Sequence, residues 1–184
     1  MISGLRYIAN YISPKEEVDL ITRIDNQVWM TGLKRRVQHY GYVYDYKKRT
    51  VTEDMFLGQL PDFLEAIAIR THEDGLIAVI PDQVIINEYY PGQGIAAHVD
   101  CEPCFGDTIL SLSLGSACVM DFYECEGTRQ EQILLEPRGL IIMQGESRYQ
   151  WQHGIAARKS DLVNGQRQKR TRRLSLTLRK VVLA

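Results

Sequence analysis

The segment His98-Val99-Asp100 sets an imidazole and a carboxylate two residues apart. On an extended strand, side chains at i and i+2 leave from the same face, so the two groups stand side by side with Val99 turned away. That is the geometry of two metal ligands, and equally of a hydrogen-bonded polar pair closing a strand. A third ligand would separate the readings, and the candidate is His153, in GESRYQWQHGI behind the apolar run LIIMQ. Two imidazoles and one carboxylate make a facial triad suited to non-haem Fe(II), which leaves three coordination positions open. A bidentate 2-oxo acid would fill two of them and dioxygen the third.

Such a cosubstrate needs a cation for its far carboxylate, and the run RLSLTLR offers one. Leu174, Leu176 and Leu178 share one face of the expected strand, and Arg173, Ser175, Thr177 and Arg179 share the other. Leucines turned to a covering layer would put arginines in a barrel interior, where an unpaired guanidinium is costly. An anionic ligand removes that cost, and the planar fork of arginine matches a carboxylate, so a dicarboxylate fits. The same pattern also suits an edge strand with its arginines in water.

These side chains need a β framework. Ser13, Pro14 and Glu16 form a capping box with proline at the first helical position, and Val18, Leu20, Ile21 and Ile24 give that helix an apolar face. A second helix is expected from Pro61, ending near His72 to Gly75. Strand-like runs then follow at 84–90, 94–100, 107–114, 118–123, 132–137, 140–144 and 173–181. Their length and spacing point to a sandwich or barrel, mainly β with flanking helices. In TILSLSL the leucines 110, 112 and 114 alternate with Ser111 and Ser113, the period of a half-buried strand. The Tyr-, Arg- and Lys-rich stretch from Lys34 to Val51 shows no clean period and reads as a loop or irregular hairpin over a barrel mouth. One domain over 1–184 is expected, with helical support and a lid over about 1–80 and the core over about 81–184.

Composition agrees: 184 residues, 45% hydrophobic and 24% charged, are ordinary for a globular protein. The N-terminal stretch lacks the pattern of a signal peptide, and no run approaches the roughly 20 apolar residues of a membrane span. A cytoplasmic monomer without membrane contact is the expectation. The formal net charge of −1 hides local basic clusters at Lys34, Arg35 and Arg36, at Lys47, Lys48 and Arg49, and at Arg167, Lys169, Arg170, Arg172 and Arg173. Such clusters can meet phosphates, although each also reads as a solvated surface. The four cysteines are expected to be free thiols, with Cys118 and Cys125 on a strand and its following turn. Zinc at the Cys101-x-x-Cys104 pair is not expected without a second pair or nearby histidines.

Taken in order, NEYYPGQG, HVD, SLSLG, GESRYQWQHGI and RLSLTLR resemble the signatures of the AlkB family of Fe(II)- and 2-oxoglutarate-dependent dioxygenases, from about Arg35 to Lys180. The likeness is strongest to the branch that modifies the tRNA wobble uridine and to its compact bacterial relatives. It implies a double-stranded β-helix, or jelly-roll, core that works with Fe(II), 2-oxoglutarate and O2. It also implies that His98, Asp100 and His153 hold the iron and that Asn87 and Tyr89 contact 2-oxoglutarate. Arg173 would pair with the distal carboxylate and Arg179 would lie near the other end, with Ser175 and Thr177 completing that wall.

On the substrate side, Glu102 occupies the position of a base-reading carboxylate, one methylene longer than the family's aspartate, and would favour a cationic N-methylated base. RRVQHYGYVYDY resembles the lid over the base, which makes Arg36, Tyr40 and Tyr44 candidates for stacking and phosphate contacts. Arg148 in GESRYQW is a further candidate for substrate contact, and His39 and His72 are not expected to be ligands. The activity implied is oxidative demethylation of N-alkylated bases in DNA or RNA, a nucleic acid repair reaction releasing formaldehyde, succinate and CO2. The alternatives are a tRNA base hydroxylase or protein side-chain dioxygenase of the same family, or a catalytically silent barrel that binds nucleic acid.

Overall fold

The computed structural model describes residues 1–32 and 35–183. In chain order its elements are β1 (Leu5–Ile8), α1 (Pro14–Asp25), β2 (Val37–Tyr40), α2 (Asp62–Glu73), β3 (Gln83–Tyr89), β4 (Ile95–His98), β5 (Phe105–Gly115) and β6 (Cys118–Glu124). They continue with β7 (Gln130–Leu135), β8 (Leu140–Gln144), α3 (Glu146–Tyr149), β9 (Trp151–Ile155), β10 (Ser160–Val163), β11 (Gln166–Lys169) and β12 (Arg173–Val181).

The capping box forms as expected: Glu16 N donates to Ser13 Oγ at 3.2 Å and Ser13 N donates to the Glu16 carboxylate at 2.7 Å. Both orphan donors at the start of α1 are thereby satisfied. Leu20 and Ile24 of α1 and Leu64, Ile67 and Ala68 of α2 pack on one face of a six-stranded antiparallel sheet, ordered β1-β8-β5-β12-β3-β2. Leu110, Leu112 and Leu114 of β5 and Leu174, Leu176 and Leu178 of β12 belong to the same cluster, so the period of two read from both runs holds. Each such leucine contributes about 1.5–3 kcal/mol by its burial.

The opposite face of that sheet presents Ile109, Ile141, Met143 and Val181 to a second, four-stranded antiparallel sheet, ordered β4-β9-β6-β7. Phe122, Leu135, Trp151 and Ile155 meet them from the second sheet. The six-stranded sheet is thus covered on both sides, which is why all seven residues of β3 are buried. Two antiparallel sheets face to face, with helices on the outside of one, make a mainly β jelly-roll.

The runs 140–144 and 173–181 coincide with β8 and β12. Four departures are informative. The stretch from 34 to 51, expected to be irregular, contains β2, paired with β3 in the register Val37↔Asn87 to Tyr40↔Val84. β4 ends at His98, so Asp100 lies past the strand. β10 and β11 form a hairpin that joins neither sheet, turning through Asn164 and Gly165 at φ 51° and 78°. Asn-Gly with both residues left-handed is the preferred two-residue hairpin turn.

The fourth departure corrects the thiol expectation. The turn after Asp100 folds back so that Cys104 N donates to Cys101 O at 3.3 Å, which brings the two Cα atoms to 5.3 Å. Cys101 and Cys104 are joined there as a disulfide, whereas Cys118 and Cys125 are free, the first buried and the second exposed. Among the described residues, no helix is long and apolar enough to cross a membrane.

Candidate metal centre and cosubstrate cavity

His98 on β4 and His153 on β9 are direct partners in the strand register, and their ring centroids are 4.6 Å apart. Such close pairing of β4 and β9 needs Gly154. A Cβ there would sit 2.9 Å from the Ala97 Cα and 3.0 Å from the Ile95 carbonyl oxygen. Asp100 Oδ2 lies 3.5 Å from His153 Nε2, and one ligand atom from each of the three residues falls within 4.8 Å of the others. His98 Nδ1 is 2.9 Å from the Ala96 carbonyl, which can only accept, so this nitrogen carries the proton and Nε2 keeps its lone pair.

Asp100 is held from two sides. Arg179 Nη2 donates to its Oδ1, and Arg148 Nη1 donates to its backbone carbonyl at 2.9 Å. Its Oδ2 is buried with no hydrogen-bond partner among the described residues. A buried acceptor left unmatched costs about 1–3 kcal/mol, and a metal ion removes that cost. Burial alone would raise the Asp100 carboxyl, but Arg179, His153, His98 and Arg148 together outweigh it and hold the pKa at about 2. Burial pushes His153 down to about 4, against the pull of Asp100. One carboxylate and neutral imidazoles are the protonation states a divalent metal requires.

β12 lies between β3 and β5, and its register sets Arg173 opposite Tyr89 and Ser175 opposite Asn87. Arg173 is 3% exposed. Its Nη2 donates to Ser113 Oγ at 2.8 Å and its guanidinium stacks 5.6 Å from the Tyr89 ring centroid. Its Nε and Nη1 have no partner among the described residues. Two unmatched donors on a buried guanidinium call for an acceptor, and the charge favours an anionic one. Ser175 and Ser111 share a hydrogen bond of 3.0 Å. A cavity of about 1210 Å³ opens between the sheets, and its walls include Asn87, Tyr89, His98, Asp100, His153, Ser175, Thr177 and Arg179.

The residues expected on the substrate side are dispersed. Tyr44 lines the cavity, tilted 5.5 Å from Phe105 and edge-on to Tyr46 at 5.0 Å. Arg36 does not: it binds Glu88 at 2.5 and 2.9 Å and stacks on Trp29 at 4.8 Å. Tyr40 donates to Gln38 Oε1 at 2.9 Å and meets Phe63 of α2 edge-on. The cause of both placements is β2, whose alternation sends 36, 38 and 40 to the helical side. Glu102 is exposed in the disulfide-closed turn, outside the cavity wall. Arg148, 2% exposed, spends its donors on the carbonyls of Asp100, Cys101, Phe105 and Gly106, so it braces the loop carrying Asp100 instead of meeting a substrate.

Lys34 of the first basic cluster lies outside the described residues. His39 Nδ1 accepts from Tyr44 N at 3.3 Å and His72 Nδ1 faces the Ile77 carbonyl, and neither joins the metal-ligand cluster. The cavity wall also contains Arg35, Tyr46, Arg49, Asp121, Tyr123 and Gln152; of these the sequence marked only Arg35 and Arg49, as members of basic clusters and not as site residues. Arg35 had a signal: it shares strand parity with Val37 and His39, which would have selected it over Arg36. It donates to Asn87 Oδ1 at 2.7 Å.

The model of the 2OG-Fe(II) oxygenase superfamily matches residues 25–179. The mouse tRNA (carboxymethyluridine(34)-5-O)-methyltransferase ALKBH8 is 42% identical over 202 residues, covering 97% of this chain and 30% of the mouse protein. The Alkylated DNA repair protein ALKBH8 homolog of Arabidopsis thaliana is 35% identical over 203 residues, covering 98% of this chain and 59% of that protein. The solved structure of OsALKBH1 shares the fold, with a TM-score of 0.72 at 18% identity and 96% of each chain covered. The chain belongs to the 2OG-Fe(II) oxygenase superfamily and, within it, to the AlkB family of dioxygenases. It spans less than a third of the mouse relative's length. Family membership implies Fe(II), 2-oxoglutarate and O2, and the buried atoms left unmatched at Asp100 and Arg173 fit the first two.

Proposed function

We propose that this chain oxidises a modified base of a nucleic acid, with a tRNA base side chain as the substrate. The observation that carries the reading is the makeup of the cavity wall beside the metal-ligand cluster: Tyr44 and Tyr46 offer ring faces, and Arg35 and Arg49 offer guanidinium groups. Aromatic rings stack an extruded base, and cations meet the phosphates beside it. The name of the mouse relative, 42% identical, specifies carboxymethyluridine 34 of tRNA, which supports tRNA over other polymers.

His98, Asp100 and His153 would hold the iron, and Arg173, Asn87 and Tyr89 would hold 2-oxoglutarate. Bound there, the pair supplies oxidation by dioxygen, with one oxygen atom going to the substrate and 2-oxoglutarate leaving as succinate and CO2. The chain's own residues do the positioning. Ala96 O fixes the His98 tautomer, Arg179 and Arg148 set Asp100, and Arg173 orients the diacid from the far end. The two packed sheets keep bulk water from that end.

The second reading is demethylation of N-alkylated DNA or RNA, which the name of the Arabidopsis relative favours. The two readings differ in the carbon hydroxylated. A hydroxymethyl group on a ring nitrogen collapses to formaldehyde, whereas a hydroxyl on a carbon-linked side chain stays. Glu102, the carboxylate expected to select a cationic N-methylated base, stands outside the cavity wall, and this weighs toward the stable product. The experiment incubates the protein, with Fe(II), 2-oxoglutarate and O2, with tRNA, N1-methyladenine or N3-methylcytosine oligonucleotides, or peptides. Succinate formation coupled to a stable gain of one oxygen on a tRNA nucleoside is expected. Coupled formaldehyde from the methylated oligonucleotides establishes the second reading. Oxidation of peptide alone, or binding without turnover, overturns both.

A further inference from the structure

We infer that the β10–β11 hairpin is a docking surface for the phosphate backbone of an RNA strand whose base enters the cavity, an inference that rests on the function proposed above. The segment from Arg158 to Arg173 holds seven cationic side chains and one carboxylate, Asp161, in a chain of formal net charge −1. Four of the seven are engaged. Arg158 and Arg170 bind the buried Asp161 at 2.7 and 2.6 Å, Arg172 binds Glu88 and Asp25, and Arg173 is buried and donates to Ser113 Oγ. Lys159, Arg167 and Lys169 remain, all exposed, and none has an ion-pair partner among the described residues.

The hairpin register explains the arrangement. Asp161 pairs with Gln168, and Leu162 with Arg167, so Asp161 turns to the protein while Ser160, Leu162, Arg167 and Lys169 share the outward face. Leu162 is 69% exposed on that face, and Arg167 Nη1 donates to Ser160 Oγ at 3.0 Å. Arg158 and Arg170, which flank the hairpin, both bind Asp161 and so close its base. Arg170 Nη1 also donates to Ala156 O at 2.8 Å, and among the described residues no sheet edge pairs with the hairpin. The Asn164-Gly165 turn supplies a tight, preset reversal.

Its base is the rim of the cavity. Ala156 and Ala157, immediately before the hairpin, line the cavity, as do Gly92 and Gly94. Gly92 N donates to Arg158 O at 3.2 Å, and a Cβ on Gly92 would meet Lys159 Cγ at 3.9 Å, so Lys159 stands at the rim. Flexible cations without an ion-pair partner among the described residues, and no aromatic anchor, describe a surface for a polyanion. A strand with its base in the cavity would leave its neighbouring phosphates beside this face.

The test compares the protein with a triple variant, Lys159→Gln, Arg167→Gln and Lys169→Gln, and with a charge-keeping one, Arg167→Lys and Lys169→Arg. Binding of a fluorescent unmodified tRNA anticodon stem-loop is followed by anisotropy from 50 to 200 mM salt. Three lost phosphate contacts on a single strand flatten the slope of log K against log salt by about 2, so affinity falls ~20-fold less across that range in the triple variant. The charge-keeping variant retains the original slope, and 2-oxoglutarate affinity is the same in all three proteins. An unchanged slope in the triple variant, no RNA binding by the starting protein, or loss confined to an acidic polyglutamate peptide overturns the inference. Because binding is read without turnover, hairpin-dependent binding with no base oxidised sinks the proposed substrate and keeps the docking surface. Oxidation of tRNA by the triple variant at the original KM and salt slope does the reverse.

Discussion

His98 and His153 stand directly opposite one another on β4 and β9, with Phe122 of β6 next in register after His153. Two imidazoles from segments more than fifty residues apart are thus brought together by strand pairing alone, and Asp100 needs only to fold back from the end of β4. The pairing depends on a glycine. In Gly154→Ala the added carbon would lie 2.9 Å from both Ala97 Cα and Ala97 N, so β4 must move away from β9. Overpacking of this kind costs about 1–3 kcal/mol. Carried by the metal site, that is roughly a 5- to 150-fold loss of affinity. Titration with Co(II) measures it, and a variant that binds Co(II) as tightly as the parent would show that the pairing does not set the site.

Arg179 holds Asp100 through its Oδ1 and leaves Oδ2 bare. Its charge heads the influences that hold the carboxyl at about 2 against burial. Arg179→Gln keeps a donor but removes the charge, so the Asp100 pKa rises and protons compete with metal at higher pH. The acid limb of Co(II) binding therefore moves upward in pH, while binding at neutral pH changes less. An acid limb that stays in place means the arginine does not govern the ligand.

Arg173 separates binding from stability. Its Nε and Nη1 are buried without partners, a liability that a bound diacid relieves. Arg173→Ala costs about 2–5 kcal/mol of 2-oxoglutarate affinity. Without 2-oxoglutarate the same change leaves the melting temperature level or higher, because an uncompensated buried guanidinium has gone. A thermal shift assay with and without 2-oxoglutarate reads both quantities. Equal 2-oxoglutarate-induced shifts in parent and variant would remove Arg173 from the assignment.

The strands that carry the metal and cosubstrate candidates were legible because their patterns are strong and redundant. Leu110, Leu112 and Leu114, like Leu174, Leu176 and Leu178, alternate cleanly enough to mark two faces, and it is the central place of β12 between β3 and β5 that turns the opposite one, with Ser111, Ser113, Arg173 and Arg179, into the interior instead of into water. The lid was not legible, since in β2 the buried Gln38 donates to Ile24 O and the half-buried Tyr40 packs against helices, so polarity does not mark the faces. Arg36 and Tyr40 consequently looked as available as Tyr44, although strand parity sends them to the helical side. The disulfide at Cys101 and Cys104 was hidden for another reason: spacing alone does not reveal how a turn closes. Asn164-Gly165, by contrast, was a usable hairpin signal between short polar strands with no apolar alternation to support it.

The start of α1 gives a prediction about acid stability. Glu16 accepts from Ser13 N and is paired with Arg70, and these contacts, led by the backbone bond, hold its carboxyl at about 2 instead of the ordinary 4.5. A carboxyl depressed in the folded state stabilises the fold above its unfolded pKa, and that contribution fades as pH falls from about 4.5 toward 2. Both partners are more than a third exposed, so solvent screening keeps the ion pair to about 1 kcal/mol or less. Ser13→Ala removes the Oγ acceptor and costs about 1 kcal/mol near neutral pH, or roughly 2–4 °C in melting temperature for a chain of this size. Glu16→Gln retains a side-chain acceptor for Ser13 N but loses the charge. It therefore destabilises the protein at pH 7 and converges with the parent as pH falls through about 2, below which both side chains are neutral. Urea titrations at pH 7 and under acid measure the difference, and a gap between Glu16→Gln and parent that persists undiminished under acid would assign the loss to packing instead of to charge.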